Sequence, residues 1–107
     1  MITIYKSIEH ELCTIPDPVV GSWLNVVQPT MEEISRLIEL GIPHDYITYS
    51  LDVDERARSE RENGEHLILL RVSYFEGESA DIPYITVPLG IILTDHYIVT
   101  ICRQENE

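Results

Sequence analysis

Basic residues are scarce in this chain. Seven Lys and Arg stand against 19 Asp and Glu, a formal charge of −12 over 107 residues. That deficit argues against sequence-independent nucleic-acid binding, which draws its affinity from cationic side chains on phosphate, and points instead to cations or basic partners. Cysteine is nearly absent: Cys13 and Cys102 are too few for a disulfide framework. They read as small buried hydrophobes in a reduced, cytosolic setting. No apolar run approaches the ~18 residues that a membrane helix needs. The N-terminal stretch carries Lys6, Glu9, His10, Glu11 and Asp17 where a signal peptide would have its long apolar core. The five glycines, at 21, 41, 64, 77 and 90, are isolated, so no glycine-rich loop is present to cradle phosphate. His10, His44, His66 and His96 lack any H-x-x-x-H spacing or C-x-x-C companion, and read as surface or turn residues. No serine sits in a G-x-S-x-G elbow. Catalytic residues are therefore not expected, and neither is an enzyme.

What is present suffices for one core. Apolar residues make up 44% of the chain, and a domain of this size buries roughly 65% of its unfolded surface. Residues 1–107 read as a single domain without repeats or linkers. Met1 to Ile8 alternates as a strand, Pro16-Asp17-Pro18 breaks the chain, and Trp23 to Val27 forms a second strand. The clearest helix starts at Thr30, where Thr30 and Glu33 have the spacing of a capping box. Met31, Ile34, Leu37, Ile38 and Leu40 follow at helical spacing as a face toward the core, and Gly41 with Pro43 ends the helix. A weaker helix is expected from Pro43 to Leu51. Arg56 to Glu62 reads as a charged edge strand, Asn63-Gly64 as a hairpin turn, and His66 to Phe75 as a buried central strand. After a loop from Glu76 to Pro83, strands are expected over residues 84–93 and 97–102. Pro88 implies an edge position, a bulge or a bend, and Gly90 a bulge or a close backbone approach. Strands with one strong helix among them predict an α/β fold, as α+β with a mixed sheet.

One constellation has cation-binding potential: Asp52, Asp54 and Glu55. Hard divalent cations favour carboxylate oxygens, but the run fails as an EF-hand, because Arg56 and Ala57 stand where a ligand and the turn glycine belong. Arg56, Arg58 and Arg61 follow at once and offer surface ion pairs. A solvated charged turn is the default for such a run. Mg²⁺ keeps several waters and needs only one or two carboxylates, which leaves open a weak site shared between subunits.

Taken in order, several segments resemble the CorA-type magnesium transporters. Gly21-Ser22-Trp23-Leu24-Asn25-Val26-Val27-Gln28-Pro29-Thr30, with Glu32-Glu33, resembles that family's tryptophan strand and helix start. Gly41-Ile42-Pro43 follows, then Leu51-Asp52 and Asp54-Glu55-Arg56-Ala57-Arg58, where family members often place proline at the position of Ala57. The closing match is Thr86-Val87-Pro88-Leu89-Gly90-Ile91-Ile92-Leu93-Thr94-Asp95 with Tyr97-Ile98-Val99-Thr100. The order and spacing carry the resemblance more than any one piece.

The resemblance implies a cytoplasmic α/β/α domain that precedes a stalk helix and two transmembrane helices in a homopentameric channel. This chain contains no Gly-Met-Asn pore signature, and on the resemblance it is the regulatory domain truncated before the stalk, on the cytoplasmic face of the cell membrane and without membrane contact of its own. Implied partners are further copies of the chain and divalent cations, with no nucleic acid. Mg²⁺ between subunits would act as a weak regulatory ligand, with Asp52, Asp54 and Glu55 as its candidate metal residues. Where some members carry a sensing carboxylate late in the second helix, this chain has Tyr49 or Ser50. The zinc-transporting branch of the same superfamily, and a stand-alone acidic module that binds a basic protein, are the alternatives.

Overall fold

The computed structural model describes residues 1–75 and 84–103; the loop expected over 76–83 lies outside them. Seven strands form one sheet: β1 (Ile2–Ile8), β2 (Glu11–Ile15), β3 (Ser22–Val27), β4 (Arg58–Glu62), β5 (Glu65–Phe75), β6 (Tyr84–Leu93) and β7 (Tyr97–Cys102). Their spatial order is β2-β1-β3-β7-β6-β5-β4. Every neighbouring pair is antiparallel except β3 with β7, which is parallel. Two local antiparallel wings are thus joined at one central parallel seam, and between them in sequence come α1 (Met31–Glu39) and α2 (His44–Leu51).

Both ends of α1 are locally determined. Thr30 Oγ1 accepts from the Glu33 amide at 3.1 Å, and Glu33 Oε1 accepts from the Thr30 amide at 2.9 Å, which completes the capping box. At the far end Gly41 takes φ +91°, the Gly41 amide donates to the Ile38 carbonyl and the Ile42 amide to the Leu37 carbonyl. This is a Schellman stop with Ile42 buried beneath it. The packed stripe of α1 is narrower than the periodicity predicts. Leu37 is buried and Ile34 and Leu40 pack at the core margin, whereas Met31 and Ile38 face solvent.

The core lies on one face of the sheet. Ile4, Leu24, Val99, Ile92 and Leu67 run across five strands in register, with Val26, Ile101 and Leu69 in the next row. Leu37, Ile42, Tyr46 and Ile47 cover them from the helices. Each such side chain contributes roughly 1.5–3 kcal/mol on burial. Among the described residues no helix covers the opposite face, where Tyr5 stacks on Trp23 at 4.7 Å and Trp23 Nε1 donates to Thr100 Oγ1 at 2.8 Å. The mixed α/β fold with one strong helix is as expected; the second helical layer of an α/β/α sandwich is not among the described residues.

Three features depart from or refine what the sequence pattern predicts. Strand β2 has no counterpart in that pattern. It pairs with β1 through a two-residue turn whose centre is Glu9 (φ +51°) and His10 (φ +69°) rather than Asn-Gly. Cys13 consequently sits half-buried on an edge strand, while Cys102 is buried as expected. Pro88 lies in an interior strand, yet one residue past Leu89↔Cys102, the pair with which β7 ends. On that side its missing N–H leaves no ladder bond unmade. Gly90 is a close approach: a Cβ there would sit 2.5 Å from Ser50 Cβ on α2.

Candidate functional site

The candidate site is built where α2 ends and the chain turns into β4. Pro43 caps the helix without a side-chain bond, and the Asp52 amide closes it on the Tyr49 carbonyl at 3.3 Å. Asp52 Oδ1 then accepts from the Asp54 amide at 2.9 Å, an Asx turn, and the Asp52 carbonyl accepts from the Glu55 amide at 3.1 Å. Asp and Asn favour such turns because the carboxylate imitates a backbone carbonyl.

Two arginines hold this turn in place. Arg71, from β5, donates through Nη1 to the Val53 carbonyl at 2.8 Å and the Glu55 carbonyl at 3.1 Å. Its Nη2 donates to the Thr86 carbonyl at 2.9 Å on β6. Arg58, at the start of β4, pairs with the Glu55 carboxylate and lies over the Tyr49 ring with its guanidinium carbon 4.9 Å from the centroid. The Glu55 hydrogen bond, with Glu60 nearby at 3.6 Å, holds the Arg58 guanidinium above its ordinary pKa.

The three predicted metal residues therefore differ. Glu55 is half-buried and neutralised by Arg58, whereas Asp52 and Asp54 are exposed, and the Asp54 carboxylate and one Asp52 oxygen have no partner among the described residues. Among the described residues no three His, Cys, Asp or Glu side chains converge as a metal cage. The donors are hard carboxylates, and the exposed pair matches the one or two ligands of a largely hydrated Mg²⁺, a half-site that needs donors from elsewhere. His10, His44 and His96 are exposed and His66 is half-buried.

A second feature of the same region has no local signal in the sequence. Packing of α2 beside the β4–β5 hairpin leaves a cleft of about 350 Å³ lined by Asp45, Tyr46, Tyr49, Glu60, Arg61 and Glu62. An adjoining cleft of about 290 Å³ shares Tyr46 and Glu62 and adds Glu65. Tyr46 forms the common wall. Its side chain is 4% exposed, and its hydroxyl is buried without a hydrogen-bond partner among the described residues. Burial pushes the Tyr46 phenol above its ordinary pKa, and the Glu60, Glu62 and Glu65 carboxylates push it further.

Comparison with known proteins bears on this geometry. A family model described as CorA-like Mg²⁺ transporter protein matches residues 20–107. The fold is similar to the complete structure of the CorA magnesium transporter from Methanocaldococcus jannaschii, with TM-score 0.80 and 20% identity over 98% of this chain and 33% of that one. It is also similar to the soluble domain of CorA from the same organism, with TM-score 0.77 and 21% identity over 98% of this chain and 41% of that one. The chain thus spans well under half the length of either structure. No curated protein matches it in sequence.

Proposed function

Because this chain belongs to the CorA-like Mg²⁺ transporter family, we propose that it is the cytoplasmic regulatory domain of a homopentameric divalent-cation channel that gates in response to intracellular Mg²⁺. The observation that carries this reading is the match of 98% of the chain to only 33% of a complete magnesium transporter. Among the described residues no helix is long and apolar enough to cross a membrane, so conduction is assigned to other parts of the protein and regulation to this one. A family of transporters, rather than of enzymes, also accords with the absence of a nucleophile–base pair in the sequence motifs.

The regulatory role falls to Asp52 and Asp54. Both project from a turn that Arg71 fixes to the sheet, and among the described residues neither carboxylate is spent on an ion pair as Glu55 is. Brought against acidic groups of a neighbouring copy, they repel it, and a divalent cation shared between the two chains relieves that repulsion. The closed arrangement is then favoured by the difference in cation affinity between the two states, and loss of the ion releases it. Glu55 does not take part, because its charge is already matched by Arg58. The choice between Mg²⁺ and zinc rests with pore residues outside this chain.

Thermal melts with and without millimolar Mg²⁺ test the assignment. At a free concentration equal to its Kd, a ligand adds about 0.4 kcal/mol, or roughly 2–3 °C in a domain of this size. The wild-type chain is expected to gain such a shift and the Asp52→Ala, Asp54→Ala variant to lose it. An identical response in both proteins would remove these carboxylates from the proposal.

A further inference from the structure

Arg71 spends its guanidinium on neutral oxygens. It lies on β5 directly opposite Pro88 of β6, on the face that Leu67 and Leu69 present to the core. Nε and Nη2 close on Thr86, the diagonal neighbour across that ladder, at 3.3 and 3.1 Å from its hydroxyl, with Nη2 also 2.9 Å from its carbonyl. Nη1 reaches the other way, to the Val53 carbonyl at 2.8 Å and the Glu55 carbonyl at 3.1 Å. Those two carbonyls flank Asp54, so one nitrogen grips the backbone on both sides of it. The guanidinium is planar and its donors form a fixed fork, so Thr86, by holding one edge, aims the other at the turn. The turn has few other ties. Among the described residues its backbone is otherwise closed by the Asp54 amide on Asp52 Oδ1 and the Glu55 amide on the Asp52 carbonyl, and Val53 and Asp54 are exposed.

We propose that Arg71 is the positioning residue of the cation half-site: by holding the turn it strengthens the binding of a divalent cation at Asp52 and Asp54, against the sign of its own charge. This role rests on the assignment of those two carboxylates made above, and adds what sets their affinity. Two effects of the guanidinium oppose each other. Its positive charge, within hydrogen-bonding reach of the turn, repels a cation bound there, but on an exposed surface that repulsion is screened by water and salt. Its bonds act on population instead. The two carboxylates serve one ion only while the turn is closed, and the apparent affinity falls with the fraction of closed turn. A turn closed about a tenth of the time binds about tenfold more weakly. Charge-assisted bonds to two carbonyls of a lightly tied turn are strong enough to move that fraction, so position outweighs charge. Thr86, which seats the fork, belongs to the same support.

The test is a titration of the ¹⁵N-labelled chain with MgCl₂, read at the amides of residues 52–55, in the wild type, Arg71→Lys and Arg71→Met. Lysine keeps the charge and loses the fork. Arg71→Lys is expected to bind Mg²⁺ about tenfold more weakly, and Arg71→Met, relieved of the charge, to lose affinity by a smaller factor. In Mg²⁺-free protein the Asp54 and Glu55 amides of Arg71→Lys should exchange with solvent severalfold faster than in the wild type, while those of Leu67, Leu69 and Ile92 in the core strands keep their protection. Thr86→Val removes the hydroxyl under the fork and leaves Arg71 in place, and it should show the same changes at smaller size. Arg71→Lys binding as the wild type does, with Arg71→Met binding more tightly, would overturn the proposal, because charge alone would then set the affinity. Unchanged exchange at Asp54 and Glu55 would overturn it too. Failure of the underlying assignment looks different: the wild-type amides either do not respond to Mg²⁺ or respond just as they do in the Asp52→Ala, Asp54→Ala variant, and the role of Arg71 falls with it.

Discussion

Replacing Gly90 with alanine should destabilise this protein through one identifiable contact. The added Cβ would overlap Ser50 Oγ on α2 and sit 2.5 Å from Ser50 Cβ and 3.4 Å from its Cα. Carbon atoms pack best at about 3.5–4.0 Å, so relief requires α2 to withdraw from β6 by about 1 Å. Rotation of the Ser50 side chain alone does not suffice, because its Cβ is already too close. Ser50 is fully buried and its hydroxyl donates to the Tyr46 carbonyl at 2.7 Å. Withdrawal would also loosen Ile47 and Tyr46 in the core. Overpacking of this kind costs about 1–3 kcal/mol. With both Oγ and Cβ displaced we expect the upper half of that range, and a melting temperature lower by about 10 °C. Ser50→Gly removes the overlapping atoms at a helix-propensity cost of about 0.5 kcal/mol relative to serine. In the Gly90→Ala background it should therefore stabilise rather than destabilise, with a coupling of about 1–2 kcal/mol in a denaturant-based double-mutant cycle. A Gly90→Ala protein that melts within about 2 °C of the wild type, or two additive substitutions, would refute this reasoning.

The titratable groups predict stability changes at both ends of the pH range. The Glu33 carboxyl is held below its ordinary pKa, chiefly by the Thr30 amide hydrogen bond and then by the Met1 ammonium at 3.0 Å. A depressed pKa means that its contribution is present above the ordinary carboxylate range and lost as pH falls through the folded value. Melts followed from about pH 7 to about pH 3 should thus show a steeper decline in the wild type than in Glu33→Gln; parallel curves would contradict the capping assignment. Tyr46 has the opposite sense, its pKa raised by burial and by Glu60, Glu62 and Glu65. Its contribution is complete below about pH 10 and lost as pH rises toward the folded value. In an absorbance titration at alkaline pH the Tyr46 phenol should ionise late and with unfolding, and Tyr46→Phe should remove that late step.

Features set by neighbouring residues were legible in the sequence. The Thr30–Glu33 box, the Gly41 stop and the Asn63-Gly64 turn each involve a few consecutive positions, and the structure places them as the pattern predicts. Gly90 was legible as a close approach, because a glycine inside an apolar strand ordinarily marks a bulge or a neighbour that leaves no room for a side chain. The β1–β2 hairpin was not, since Glu9 and His10 adopt left-handed backbone without the glycine that usually signals such a turn. β2 moreover lies at an edge, where Leu12 stays exposed and no apolar alternation is imposed. The acidic run at 52–55 was visible as composition only. That Arg58 neutralises Glu55 while Arg71 fixes the turn depends on strand packing, and no spacing rule separates Glu55 from Asp52 and Asp54. The cleft at Tyr46 had no signal at all, because its lining residues come from a helix and the strand that follows it, and only their packing brings the two groups together.

Ion flux through the full-length protein in liposomes, measured as Mg²⁺ is raised on the side of this domain, tests most directly whether the domain senses intracellular Mg²⁺ and restrains a cation pathway. The wild-type flux is expected to fall as Mg²⁺ rises, and the Asp52→Ala, Asp54→Ala protein to keep conducting at concentrations that silence the wild type. A wild-type flux indifferent to Mg²⁺ on that side, or a protein that carries no divalent cation, would contradict a sensing role.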